Sequence, residues 1–120
     1  MNVTELIRKV LFFLLITLFS TSLFAPVLSA YNDTQYARAI RFKICLKCDL
    51  YKANFSGVDL SHADFSGSNL ILASFQKATL YQATFDGANL SGANFTGALW
   101  INGKICQEES YGKCIFSEEK

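Results

Sequence analysis

The sequence predicts an all-β solenoid, a four-sided coil of about twenty residues per turn. Three observations carry that expectation. A large apolar residue recurs at every fifth position, at Leu50, Phe55, Leu60, Phe65, Leu70, Phe75, Leu80, Phe85, Leu90 and Phe95. Leu and Phe alternate strictly along that series. Two positions before each centre stands a smaller residue, from Cys48, Ala53 and Val58 through Ser68 to Ala88 and Ala93, and between the two lies Asp, Asn, Ser or Thr every time.

A period of five matches neither the 3.6 of a helix nor the two of a strand. Residues two apart on an extended segment point the same way, so each centre and the small residue before it face inward together. The pair that follows, often Ser-Gly, supplies a corner, because Gly accepts dihedrals that other residues resist. Each unit is one short side plus one corner, and about four sides close the path. Successive coils then stack at the sheet spacing of ~4.8 Å with backbone groups paired from coil to coil.

The units "ANFSG", "ADFSG", "ANLSG" and "ANFTG" resemble the pentapeptide-repeat proteins, with "SNLIL" and "ASFQK" as looser copies. The resemblance covers residues 48 to 97 and implies a right-handed quadrilateral β-helix, about two and a half coils at about twenty residues each. In such a coil, residues twenty apart stack. Leu50, Leu70 and Leu90 then form one inner column and Phe55, Phe75 and Phe95 the next; Leu60 with Leu80, and Phe65 with Phe85, fill the other two. The rod is filled by its own side chains, and no cofactor is implied.

Residues 1–30 read as a signal peptide. Arg8 and Lys9 precede the apolar run "VLFFLLITLF", which leads to a small-residue exit near Ser29 and Ala30. The alternative is a membrane anchor over residues 8–30, since the stretch approaches the ~20 residues that span a bilayer; membrane contact is expected only through such an uncleaved segment. Cleavage removes Glu5, Arg8 and Lys9, leaving nine basic against nine acidic side chains. With no basic excess, no nucleic acid is expected as a partner.

Residues 31–45 form an N-terminal capping segment, in which Asn32 or Asp33 caps a short helix that presents Tyr36, Ala37, Ile40 and Ile44. Residues 46–100 are the β-helix. Residues 101–120 are a C-terminal cap, in which the repeat phase holds through Ala98 and Trp100, extends to Ile105, and then lapses. Open coil ends expose unpaired strand edges, so covers are needed at both. A homodimer through the coil ends is the other way to satisfy them.

Four cysteines in an exported chain point to disulfides. Cys48 and Cys106 are almost three coils apart, about 14 Å along the axis, whereas bridgeable Cα atoms lie within ~7 Å. Cys106 with Cys114 closes a short loop and pins the C-terminal cap. Cys45 and Cys48 both point inward, as a local bridge or as two buried thiols.

No catalytic, cofactor or metal site is expected. The "CLKC" stretch has redox spacing, but thiolate activation there relies on a helix N-terminus, and this one enters a coil. His62 sits at an outward corner. Asp49, Asp59 and Asp64 share their register with Asn, Ser and Thr, which is a hydrogen-bonding role rather than acid–base work. The outward positions that stand out are Tyr51, Ile71, Leu72 and Tyr81, a candidate surface for a protein partner. Tyr51, Ile71 and Leu72 belong to one face and Tyr81 to the opposite one.

The expected function is an exported, non-enzymatic structural or protein-interaction module. The ending "WINGKIC" with "SYGKC", and the opening "CLKCDL", resemble exported members of the family, which implies the periplasm or a thylakoid lumen. One alternative is a DNA mimic acting on DNA gyrase; the family members with that role are cytosolic, longer and strongly acidic, and this chain departs on each point. A second alternative is a thiol-based redox or metal sensor, which requires reduced cysteines.

Overall fold

The computed structural model of the chain describes residues 2–20, the side chains of 15–20 excepted, and residues 31–117. The expected cleavage site at Ser29 and Ala30 lies outside the described residues, as do the last three residues of the C-terminal segment. The first element, α1 (Val3–Ser20), carries Leu6, Phe12 and Phe13 exposed. Among the described residues no helix is long and apolar enough to cross a membrane.

The second helix, α2 (Asp33–Phe42), is capped by Asn32, whose side chain accepts from the Gln35 amide at 3.0 Å. It ends where Lys43 turns left-handed and its amide closes on the Ala39 carbonyl. Its buried stripe is Tyr36, Ala39 and Ile40, with Ala39 fully buried. Ala37 and Ile44 are exposed instead of inward. The reason is the break at Lys43: Ile44 already belongs to the coil, where it bridges Asp64.

From Ile44 to Thr79 every fifth residue forms a parallel bridge to the residue twenty positions on, as in Asp49 to Asn69 and Asn69 to Asn89. There are four such columns, one per side of the coil. Each pairs through backbone bonds such as the Leu50 amide to the Asn69 carbonyl, 2.9 Å, and the Asn69 amide back to the Cys48 carbonyl, 2.8 Å. Each corner from Leu50 onward closes with a bond from the small residue to the preceding centre, for example Ala53 to Leu50 at 3.0 Å, whereas the Cys48 amide at the first corner donates to Ser68 Oγ. The second residue of these corners has positive φ, the signature of a type II turn. Gly57, Gly67 and Gly87 suit that conformation; Lys52, His62, Leu72 and Gln82 adopt it despite a Cβ.

Where the residue before a centre is Asp or Asn, it ties down its own corner. Asn54 Oδ1 accepts from the Ser56 amide, Asp59 from Ser61, Asp64 from Ser66 and Asn94 from Thr96, all within 2.9–3.0 Å. A carboxylate or a carboxamide serves equally, which explains why Asp and Asn exchange freely at this register.

Inside, Phe55, Phe75 and Phe95 form one stack, with centroids 5.1 and 5.2 Å apart and planes within 13°. Phe65 and Phe85 form the facing stack at 5.4 Å. The two meet edge to face, as Phe65 does Phe75 at 6.0 Å and 76°. This satisfies the ring quadrupoles as well as filling the volume. Leu50, Leu60, Leu70 and Leu80 are fully buried between them. Phe85 and Leu90 are only half-buried, a departure from the fully inward series expected for all ten centres. No further regular coil follows them, and what lies above is the turned-back segment, which leaves Phe85 and Leu90 half-buried but covers Phe95 completely.

What covers that end is a reversal. After the corner from Trp100 to Gly103, the chain runs back antiparallel over the last coil, with Leu99 bridging Ile105 and Asn94 bridging Tyr111. Ile105 is therefore half exposed rather than a further inward centre. Trp100 supplies the lid, flat against Phe85 at 5.8 Å and edge-on to Phe95 at 4.8 Å. Cys106, fully buried, is bonded to Cys114, with Cα atoms 5.1 Å apart.

At the other end α2 is the cover, and its side chains meet the free edge of the first coil. The Tyr36 hydroxyl donates to the Asn54 carbonyl at 2.7 Å, the Asp49 amide donates to Gln35 Oε1 at 2.6 Å, and Lys43 Nζ reaches the Ser61 carbonyl at 3.2 Å. The Tyr36 ring extends the Phe stack, 5.0 Å from Phe55. Cys45 and Cys48, both buried, are bonded to each other at a Cα separation of 5.5 Å.

Candidate interaction surface

The outer surfaces of the rod are what is left for chemistry or contact, since its interior is filled by Phe, Leu and Ala side chains, the cysteine bridges and the hydrogen-bonded Ser68 and Ser110. Tyr51 and Ile71 occupy the same outward position of consecutive coils, tied by the Lys52 amide to the Ile71 carbonyl at 2.9 Å. Both are half-buried. Leu72, at the adjoining corner, is 48% exposed and leans over Gly92 in the next coil. These three form a short apolar strip beside Lys52, whose ammonium lies 5.1 Å from the Tyr51 ring centroid.

Tyr81 belongs to the column of Asp59, Thr79 and Leu99, half a coil away. The four residues therefore make two surfaces rather than one. Tyr81 has its own neighbours: the His62 ring edge-on at 6.2 Å, the backbone of Gly103, and Ile101 stacked above it through the Gln82 amide to the Ile101 carbonyl at 3.0 Å. Ile101 is 38% exposed and was legible as a surface residue, because it lies twenty positions after Tyr81. A third exposed apolar group, Phe42, Ile44 and Leu46, stands at the N-terminal end; helical spacing places Ile44 on α2, but α2 ends at Phe42 and Ile44 lies in the coil.

The titratable side chains are built into the wall. Asp59 and Asp64 sit below the usual carboxylate range, because the hydroxyls of Ser61 and Ser66, and then their amides, donate to the charged form. Asp59 also pairs with Lys43 at 3.6 Å. Burial raises the Tyr36 hydroxyl. Among the described residues no group of three His, Cys, Asp or Glu side chains converges to hold a metal ion. His62 has an aromatic neighbour and stands exposed at its corner.

A five-residue unit, four bridge columns and a core of stacked centres define the chain as a β-helical repeat protein. The family model for pentapeptide repeats matches residues 48–87 and 73–99 in eight copies, and by these repeats the chain belongs to the pentapeptide-repeat proteins. Such proteins form right-handed quadrilateral β-helices. A similar solved structure is HetL, a pentapeptide repeat protein involved in heterocyst differentiation regulation, from the cyanobacterium Nostoc sp. strain PCC 7120. It is 30% identical over 52% of this chain and 30% of its own, with a TM-score of 0.50. Another is AT2G44920, a pentapeptide repeat protein of the Arabidopsis thaliana thylakoid lumen, 32% identical over 46% of each chain, with a TM-score of 0.24. The chain spans less than half the length of either. Comparison with curated protein sequences gives no match.

Proposed function

We propose that the protein is an exported, non-enzymatic module whose rigid sides present a binding surface to a protein partner in the periplasm or a thylakoid lumen. The observation that carries this reading is the pair of disulfides at opposite ends, Cys45–Cys48 under α2 and Cys106–Cys114 over the last coil. Such bonds persist in oxidising compartments and are rare where thiols are kept reduced. The basic, apolar and small-residue order of residues 1–30 supports the same destination. Between the two covers lie about two and a half coils, counted at about twenty residues each.

The partner surface in this reading is the strip of Tyr51, Ile71 and Leu72, with Tyr81 as a separate contact on the opposite side. A homodimer made by pairing bare coil ends is disfavoured physically, since α2 and the reversed segment already hydrogen-bond to those edges. The core supports a scaffold rather than a catalyst: its large side chains are Phe and Leu, and the wall carboxylates are held by their own corners.

The test is the intact mass of the protein isolated from its own cells without reductant. A chain that starts near Tyr31 and is four hydrogens lighter than its reduced form is the expected result. A full-length chain with free thiols would overturn the export reading. Cross-linking from position 71 then identifies the partner; a Tyr51→Ser/Leu72→Ser variant should lose that cross-link while keeping its fold.

A further inference from the structure

The N-terminal end of the rod carries a surface that the proposed partner strip does not use. Phe42, Ile44 and Leu46 are 67%, 54% and 53% exposed, three large apolar side chains within five residues. Ile44 and Leu46 flank the inward Cys45 and so share the outer side of the first coil. Phe42 closes α2 beside them, with the Arg41 guanidinium 5.9 Å from its ring centroid. Arg38, one helical turn before Phe42, lies on the same face of α2.

The charges of this end have one sign. Between Asp33 and Asp49 the charged side chains are Arg38, Arg41, Lys43 and Lys47, all of them basic. Lys43 is engaged by Asp59 and the Ser61 carbonyl. Arg38, Arg41 and Lys47 are exposed and have no ion-pair partner among the described residues. Of the carboxylates nearby, Asp64, bridged to Ile44 through the backbone, is turned onto Ser66, and Asp49 accepts from Asn69. The chain from residue 31 onward is neutral as a whole, so this basic end is balanced by an acidic excess over the rest of the rod, with Glu108 and Glu109 in the far cover.

Exposed aromatic and aliphatic side chains set among arginines and lysines match the two layers of an anionic bilayer surface: the apolar groups enter the acyl boundary and the cations meet the headgroups. A protein partner of the same charge would need a large buried area, whereas a bilayer accepts a small convex end. We infer that the protein docks end-on to an anionic lipid surface, with Phe42, Ile44 and Leu46 inserted and Arg38, Arg41 and Lys47 on the headgroups. This orientation leaves the strip of Tyr51, Ile71 and Leu72 on the side of a rod that stands away from the bilayer. The inference does not depend on which protein, if any, binds that strip.

The experiment uses the full oxidised chain with vesicles that contain a lipid bearing a photoactivatable acyl chain. One set is phosphatidylcholine and the other adds phosphatidylglycerol. Cross-links to α1 report contact through the apolar leader in both sets and serve as the internal control. Three basic side chains, each worth about a factor of five near an anionic surface, give an expected excess of about a hundredfold at limiting lipid in cross-links to residues 42–46 with phosphatidylglycerol. An Arg38→Glu/Arg41→Glu/Lys47→Glu variant should lose that excess and keep its α1 cross-links. A Phe42→Ser/Leu46→Ser variant, which leaves the charges alone, should also reduce cross-linking there. Equal labelling of residues 42–46 in both vesicle sets would overturn the inference, as would labelling confined to α1. So would protein-to-protein cross-links joining residues 38–47 to the acidic C-terminal cover, which would mean that a second copy occupies this end.

Discussion

Trp100 lies parallel to Phe85, with ring planes 4° apart and centroids 5.8 Å apart, at the level where the repeats stop. It holds the position of the next inward centre but is itself half-buried, because the chain turns back above it. Replacing it by Ala exposes the upper faces of Phe85 and Phe95 and should cost about 3 kcal/mol, the low end for a large aromatic. Phe75→Ala, deep in the stack between Phe55 and Phe95, should cost more, about 5 kcal/mol. Urea unfolding followed by circular dichroism measures both. If the two were equal, the core would not be graded from middle to end.

The disulfides act on the covers rather than on the stack. In the chain-entropy view a bridge stabilises by restricting the unfolded chain, with the gain growing slowly with loop length. Cys106 and Cys114 are eight apart and Cys45 and Cys48 three apart, so removal as paired Ser should cost about 2.5 and about 2 kcal/mol respectively. The Cys106→Ser/Cys114→Ser variant should also raise amide exchange at Gln107, whose amide donates to the Ile115 carbonyl at 2.8 Å, and at Ile115, whose amide donates to Ser110 Oγ at 3.0 Å. Unchanged exchange there would mean that the reversed segment is held by its backbone bonds alone.

The side walls were legible in the sequence because each unit repeats one solution. Asn54, Asp64 and Asn94 do the same thing at the same register, and one five-residue motif predicts the corner, the inward pair and the twenty-residue stack. The ends were harder to read because they are solved once. Which face of α2 is buried, that of Ala39 rather than Ala37, is fixed by contacts such as Gln35 with the Asp49 amide, fourteen residues away. Likewise nothing local in "WINGKIC" distinguishes another coil from a reversal. The direction is set by pairing with Leu99 and Asn94 in the coil below. Counting in twenties places Tyr51, Ile71 and Leu72 apart from Tyr81, whereas the group at Phe42, Ile44 and Leu46 depends on where α2 ends, which the local sequence does not fix.

Acid should weaken the wall before it weakens the core. Asp59 and Asp64 have folded pKa values below those of the unfolded chain, since Ser61 and Ser66 donate to their charged forms. A depressed carboxyl contributes stability that is present above its unfolded pKa and is lost as pH falls through the folded one. The urea midpoint should therefore decline on the acid side of the ordinary carboxylate range. In an Asp59→Asn/Asp64→Asn variant that decline should be shallower, while the fold persists because Asn54 and Asn94 already fill the same role. An unaltered acid slope in the variant would assign the decline to other groups.

Leu72 and Gly92 illustrate how one corner constrains the next. Gly92 has φ +67°, and a Cβ built there would stand 2.7 Å from Leu72 Cδ2. At Gly57, with φ +71°, a Cβ would meet nothing within 4 Å. Both Ala substitutions carry the left-handed penalty of about 1 kcal/mol, so Gly57→Ala isolates the backbone cost and Gly92→Ala adds the steric one. The second variant should be less stable than the first by a further 1 kcal/mol or so, within the range for overpacking. Adding Leu72→Ala should recover that increment, and a double-mutant cycle in urea measures it directly. Equal costs for the two glycines would mean that Leu72 swings away freely. It would then be a mobile member of the exposed strip, and its loss should weaken partner cross-linking less than the loss of Tyr51.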